Sequence, residues 1–157
     1  YDLTLRDVVP DDLPVFFEQE QDPVAVSMAA FTAKDPTDRD AFTTHWNRIM
    51  CDETILIKTI LVDGTVVGNV LSYEEDGKPE VSYWIGREYW GKGYATLALK
   101  KFLEQDNQKR PIYARVAKDN TASRRVLEKC GFRVIGESSG FANARGKEIP
   151  ELLLELR

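Results

Sequence analysis

The stretch Glu80–Glu104, EVSYWIGREYWGKGYATLALKKFLE, limits what this chain can fold into because its hydrophobic period changes midway. Val81, Tyr83 and Ile85 alternate with Glu80, Ser82 and Trp84, the two-residue repeat of a strand. From Tyr94 onward, Ala95, Ala98, Leu99, Phe102 and Leu103 recur at the spacing of an amphipathic helix. Gly91-Lys92-Gly93 joins the two. A strand that turns through two glycines into a helix directs backbone N–H groups outward, with the positive end of the helix dipole behind them, and can hold phosphate. A Walker A loop fits poorly, since Gly93 stands where Ser or Thr would hold Mg²⁺ and Tyr89 and Trp90 crowd the wrap. A dinucleotide fingerprint fits no better, with Thr96 in place of its third glycine. A plain tight turn is the alternative.

The 157 residues suit one domain, spanning 1–157. Hydrophobic content of 43% with 30% charged residues is that of a soluble globular protein. A net charge of −5 without a basic run argues against a nucleic-acid partner and suits cationic substrates. Cys51, Cys130 and His45 are too few and too scattered for a structural zinc site or a disulfide scaffold. No apolar run approaches the ~20 residues of a membrane span and no signal peptide opens the chain. The expectation is a cytoplasmic protein without a membrane partner. Tyr1 in place of Met leaves room for native residues ahead of it.

Leu3–Val8 reads as a strand, and Asp11-Asp12 as the cap of a helix carrying Leu13, Phe16 and Phe17. Asp22-Pro23 opens a second helix through Val26 and Met28 to Ala30. Lys34–Thr37 is a turn and cap, after which Phe42, Trp46, Ile49 and Met50 mark one helical face. Thr54–Val62 and Thr65–Tyr73 are strands joined at Asp63-Gly64, a hairpin signal. Gly68 within the second marks a bulge or a close backbone approach. After a polar turn at Glu74–Lys78 comes the strand of the central stretch. Ile112–Ala117 is a further strand and Asn120–Cys130 a helix with Val126, Leu127 and Cys130 inward. Phe132–Glu137 and Glu148–Leu156 close the fold, with Ser138–Lys147 between them as a polar loop around Phe141. This order describes an α/β sandwich on a mixed sheet, and the hairpins exclude an all-parallel one.

Asn120-Thr-Ala-Ser123-Arg-Arg-Val126-Leu127-Glu-Lys-Cys-Gly131-Phe132, downstream of Trp90-Gly-Lys-Gly-Tyr-Ala95, resembles the GNAT superfamily of N-acetyltransferases. The nearest likeness is to the branch of ribosomal-protein N-terminal acetyltransferases, and it runs from Leu5-Arg6 through Asp22-Pro23 and Gly68 to the final E-K-x-G-F. The resemblance implies a mixed, mostly antiparallel central sheet of about seven strands flanked by helices. It also implies acetyl-CoA as cosubstrate, without metal. Trp90, Gly91, Lys92, Gly93, Tyr94 and Ala95 match the loop that holds the pyrophosphate. Trp84 and Ile85 match the strand end that pairs with the pantetheine arm, and Asn120 the residue near the reactive end. Two departures stand out. Trp90 replaces a frequent Gln or Arg. Leu127 stands where many members carry a tyrosine acid, and in this branch Ser123 is the candidate instead.

An amine attacks a thioester only when neutral, so an α-amine with pKa about 8 is far more available than a lysine at about 10.4. Glu80 is the candidate base and Ser123 the candidate acid; their alternatives are a solvated strand-start residue and a helix-start hydroxyl. Phe31, Trp46, Asn69 and Phe141 are candidate acceptor-pocket residues, although aromatics at helical spacing more often pack in a core. The expected reaction is acetyl transfer to a primary amine by direct attack in a ternary complex, by a monomer or homodimer. The acceptor is a protein N-terminus or a small molecule. A non-catalytic CoA-binding module is the rival reading.

Overall fold

Aspartates cap two of the three helices in the first third of the chain. The computed structural model describes Tyr1–Arg157, beginning with β1 (Leu3–Asp7), α1 (Leu13–Gln19), α2 (Pro23–Ala29) and α3 (Arg39–Cys51). Asp22 Oδ1 accepts from the backbone N–H groups of Val24 and Ala25 at 2.9 and 3.0 Å, capping α2 ahead of its Pro23. Asp38 caps α3 through the Ala41 N–H at 3.0 Å. The cap expected within Lys34–Thr37 therefore falls at Asp38, because Asp35 is engaged in its own turn with Thr37.

Asp12 also departs from expectation. It sits ahead of α1 but its side chain makes no cap bond. It is 3% exposed and accepts from Arg6 at 2.7 and 2.9 Å, from Thr59 Oγ1 at 2.6 Å and from the Val9 N–H at 3.0 Å. A buried carboxylate needs such partners, and this one thereby ties α1 to β1 and the neighbouring strand.

The sheet continues with β2 (Leu56–Val62), β3 (Thr65–Glu75) and β4 (Lys78–Ile85) as an antiparallel meander. Asp63-Gly64 and Asp76-Gly77 both turn with positive φ at both positions, as two-residue hairpins require. Then come α4 (Tyr94–Gln105), β5 (Ile112–Ala117), α5 (Thr121–Lys129), β6 (Arg133–Ala142) and β7 (Lys147–Leu156). Spatial order is β1-β2-β3-β4-β5-β7-β6, with seven strands and one parallel neighbour pair, β4 and β5. The expected loop at Ser138–Lys147 is mostly strand. Ser138–Ala142 pairs in register with Glu151–Lys147, so the turn shrinks to residues 143–146. A polar strand at the sheet edge looks like a loop in sequence, because only its partner across the ladder reveals it.

Helices α4 and α5 cover one face. Ala98, Leu99, Phe102, Leu103 and Leu127 pack there with Ile60, Val67, Val70, Val81, Ile85 and the inward residues of β5 and β7. Helices α1 and α3 cover the other face, where Leu13, Phe16 and Trp46 meet Ile57 and Val66. No helix is long and apolar enough to cross a membrane.

Asp12→Ala should cost about 2–4 kcal/mol of stability by leaving Arg6 and Thr59 without their partner. Burial pushes the Asp12 carboxyl up, but the bonds from Arg6, Thr59 and Val9 outweigh it and hold it below the ordinary carboxylate value. Its contribution is therefore present above about pH 4 and lost as pH falls through the lowered folded-state value. Urea unfolding of parent and variant should show the gap closing on the acid side; a gap independent of pH would remove the ionised network as its origin.

Candidate functional site

The site is built where β4 leaves β5. Their parallel ladder holds a single register pair, Glu80↔Tyr113, and past it the two strands diverge. On its other edge β4 stays paired with β3 as far as Gly68↔Ile85, and the Gly86 N–H donates to the Val67 carbonyl at 2.9 Å. In an antiparallel ladder the backbone groups of alternate residues face opposite neighbours. Those of Tyr83 and Ile85 therefore face the gap.

Two features of β3 hold β4 there. Val67 is an extra residue in the β2–β3 pairing, a bulge between Ile60↔Gly68 and Leu61↔Val66. At Gly68, a Cβ would lie 2.0 Å from the Trp84 carbonyl oxygen, so no side chain fits. Of the bulge or close approach that the sequence marks at this glycine, the close approach occurs at Gly68 itself and the bulge at Val67 beside it.

The connection from β4 to α4 has the anticipated form. Gly91 and Gly93 have φ of 78° and 79°, and a Cβ on either would meet nothing within 4 Å. None of the amides from Gly91 to Thr96 donates to a backbone carbonyl, and the first helical bond is Leu97 N–H to the Gly93 carbonyl. Gly91, Lys92 and Gly93 are exposed, while Tyr94 and Ala95 are half-buried against the main core. Trp90 takes a role that sequence reasoning missed: its indole N–H donates to the Ile85 carbonyl at 2.8 Å and closes the loop back onto the strand end.

Asn120 caps α5 by accepting the Ser123 N–H at 3.2 Å and donates to the Met28 carbonyl at 3.2 Å, linking α5 to α2. The Ser123 hydroxyl lies 2.8 Å from the Tyr83 hydroxyl across the gap between α5 and β4. Burial pushes the Tyr83 phenol up to about 12, with Ser123 pulling slightly the other way. Alternation places Tyr83 only on the strand face of Val81 and Ile85; the fold sets its hydroxyl beside Ser123. Leu127 is 2% exposed in the core. Nearby, Cys130 is pushed up to about 11 by burial.

The opposite face of β4 carries Glu80, Ser82 and Trp84. Glu80 is 3% exposed and receives the Arg115 Nε–H at 3.3 Å on both carboxylate oxygens, while Arg115 also reaches Glu151 at 3.5 Å. Burial raises the Glu80 carboxyl, and Arg115 only partly offsets this. Asn69 is buried opposite Trp84 in register, and the Trp84 indole N–H donates to the Gln19 carbonyl at 3.3 Å. Phe31 packs with Ala30, Ala117, Ala142 and Ile149 and lies over Gly140. Trp46 lies in the α1–α3 packing, its ring 5.0 Å from that of Phe16, and Phe141 is 59% exposed on the other side of β6 from Gly140. Asn69 and Trp84 are thus side by side, while Trp46 and Phe141 stand apart from them.

Glu20, next to Gln19, carried no motif. Its Oε2 is buried without a hydrogen-bond partner, and burial pushes its carboxyl up to about 7. A carboxyl raised on folding destabilises the fold when ionised. The unfolded chain ionises first, so stability falls as pH rises from about 4.5 to about 7. Glu20→Gln should remove that fall and gain about 1–3 kcal/mol relative to the parent on the alkaline side of the window. Denaturation midpoints of the two proteins that track each other across the window would contradict it.

Several known proteins are similar to this chain. Over 108 residues the chain is 32% identical to p20 of Bacillus licheniformis, whose name calls it an N-acetyltransferase, covering 66% of this chain and 60% of that one. It is 31% identical over 120 residues to YdaF of Bacillus subtilis, described as a ribosomal N-acetyltransferase, covering 69% and 64%. The chain thus spans less than two thirds of the length of either relative. Among solved structures, RimJ of Mycobacterium smegmatis in complex with CoA-disulfide superposes with a TM-score of 0.79 at 25% identity, over 98% of this chain and 81% of that one. The model of the acetyltransferase (GNAT) domain matches residues 2–133, which include the split strand pair, the glycine loop and α5; the chain belongs to the GNAT acetyltransferase family.

Proposed function

We propose that the protein transfers an acetyl group from acetyl-CoA to a cationic primary amine, by direct attack within a ternary complex. The observation that carries this reading is the run of unpaired amides from Gly91 to Thr96 at the mouth of the β4–β5 gap. The residues present fit the cosubstrate. The amides and the α4 dipole suit a pyrophosphate, and open space lies in front of both glycines. The gap-facing backbone of Tyr83 and Ile85 suits an extended arm carrying amides, although the Ile85 carbonyl is shared with Trp90. Bound there, acetyl-CoA supplies the activated acyl group. Trp90, Lys92, Tyr94, Ala95 and Asn120 shape the same channel, whereas Trp84, whose carbonyl is turned to Gly68 of β3 and whose side chain lies on the opposite face, does not.

The acceptor enters from the opposite face. Glu80 and Glu151 share the single cation of Arg115 there, a net negative set that favours a protonated amine reaching the cleft. Glu80, raised by burial and held in place by Arg115, takes the proton that the amine must lose, directly or through water. Ser123 donates to the sulfur as the carbon–sulfur bond breaks. Phe31, Asn69 and Trp84 line the acceptor side. The name of YdaF, a ribosomal N-acetyltransferase, favours a protein amine, and the acceptor proposed here is an N-terminal α-amine. That group is also the more easily deprotonated amine. No acyl-enzyme is needed, and the Cys130 thiol, pushed up to about 11, is a poor nucleophile.

Gly93→Val should weaken acetyl-CoA affinity at least about tenfold, since the side chain would fill the ligand's space. Gly64→Val, which imposes a similar positive-φ strain at a distant hairpin, serves as control and should leave affinity unchanged. Calorimetry giving equal affinities for parent and Gly93→Val would remove the loop from the site.

Glu80→Gln should lower the rate with an N-terminal peptide amine by about 10²-fold, with acetyl-CoA affinity little changed. Raising pH should restore part of the loss, because more acceptor arrives neutral. An unchanged rate and pH profile would assign the proton to another base.

A further inference from the structure

We infer that Tyr83 is a positioning residue for the acetyl transfer: its hydroxyl donates to Ser123 Oγ, which leaves the Ser123 proton free to point into the β4–β5 gap at the departing sulfur. The inference rests on the acetyltransferase reading and adds to it a residue outside the motifs.

The geometry is direct. The two oxygens are 2.8 Å apart, one on β4 and one on α5, so the pair bridges the two elements that flank the gap. Either hydroxyl could donate by distance alone, but chemistry orients the bond. A phenol is a stronger hydrogen-bond donor than an alkanol, and an alkanol oxygen the better acceptor. Neither hydroxyl has another partner within the protein. With Tyr83 donating, the one remaining proton of the pair belongs to Ser123. Backbone position is fixed too, since Asn120 Oδ1 holds the Ser123 N–H. A lone serine rotor samples three staggered wells; one that must accept from Tyr83 is restricted in where its own hydrogen can go. Leu127, buried in the core, has no proton to offer.

The step balances without ionising either hydroxyl. The amine nitrogen bonds to the thioester carbon, the carbon–sulfur bond breaks, and its electron pair stays on sulfur. Ser123 donates a hydrogen bond to that thiolate while Tyr83 strengthens the donation from behind. The proton released is the amine's and leaves through the base. The high phenol value fits this division, because Tyr83 remains a donor at every pH at which the enzyme works.

The test is Tyr83→Phe, which keeps the ring in the main core and removes the hydroxyl. Steady-state rates with acetyl-CoA should show kcat lower by about 10–100-fold with KM for acetyl-CoA changed less than about threefold. With an acetyl thioester of a more acidic thiol, whose leaving group needs less help, the loss should shrink to a few-fold. Ser123→Ala with Tyr83→Phe should be no worse than Ser123→Ala alone. An undiminished kcat, or the same loss with both leaving groups, overturns the inference. A binding measurement needs no turnover. Calorimetry of CoA and of CoA lacking its sulfur should show parent affinity for CoA rising with pH as the thiolate forms. That rise should be weakened in Tyr83→Phe, with the sulfur-free ligand bound equally by both proteins. Equal pH dependence in parent and variant overturns the role of Tyr83 while leaving the acetyltransferase reading intact. A parent protein that binds neither ligand overturns both.

Discussion

A sheet normally satisfies the backbone of every interior strand from both sides, and β4 is denied this on one edge. Its ladder to β5 stops after Glu80↔Tyr113, while its ladder to β3 runs on to Ile85. Unmet backbone groups inside a protein are costly unless water or a ligand meets them. The split therefore opens a slot of fixed polarity, and much around it serves to hold the slot open. The Val67 bulge bends β3, and the missing side chain at Gly68 lets the Trp84 carbonyl approach. Beyond the strand end, the glycine turn places α4 so that its first amides finish the same slot.

The two faces of β4 divide the chemistry. Its odd-numbered side chains face α4 and α5, where Tyr83 meets Ser123 and the surroundings are apolar. Its even-numbered side chains face the acidic side, where Glu80, Arg115 and Glu151 form a connected set. In the proposed reaction, one strand thus separates a channel for the acyl donor from an approach for the acceptor. The two meet only where the strands part. That separation suits a reaction in which both substrates are bound together and nothing is stored on the protein.

Much of this was legible in the sequence because it depends on local chemistry. The change of period between Ile85 and Tyr94 marked the strand-to-helix junction, Asp63-Gly64 marked its hairpin, and Gly68 marked a bulge or close approach, of which the close approach is its own. What escaped depends on partners distant in the chain. Asp12 looked like a cap because its neighbours are helical, yet Thr59 and Arg6 claim its carboxylate. Ser138–Ala142 looked like loop because it opens with two serines and a glycine, but its backbone pairs with β7. Tyr83 and Ser123 are 40 residues apart in sequence, and no periodicity connects a strand tyrosine to a helix serine. Glu20 is notable only once burial leaves its oxygen alone.

The bond from the Trp90 indole to the Ile85 carbonyl has a thermodynamic meaning beyond its geometry. A loop rich in glycine loses much conformational freedom when a ligand orders it, and that loss subtracts from affinity. Here the ordering is done during folding, by an aromatic anchor that bridges strand and loop in the free protein. The amides from Gly91 to Thr96 are then already oriented before any ligand arrives. The entropic penalty is charged to the stability of the fold, and the free energy of their hydrogen bonds goes to association itself.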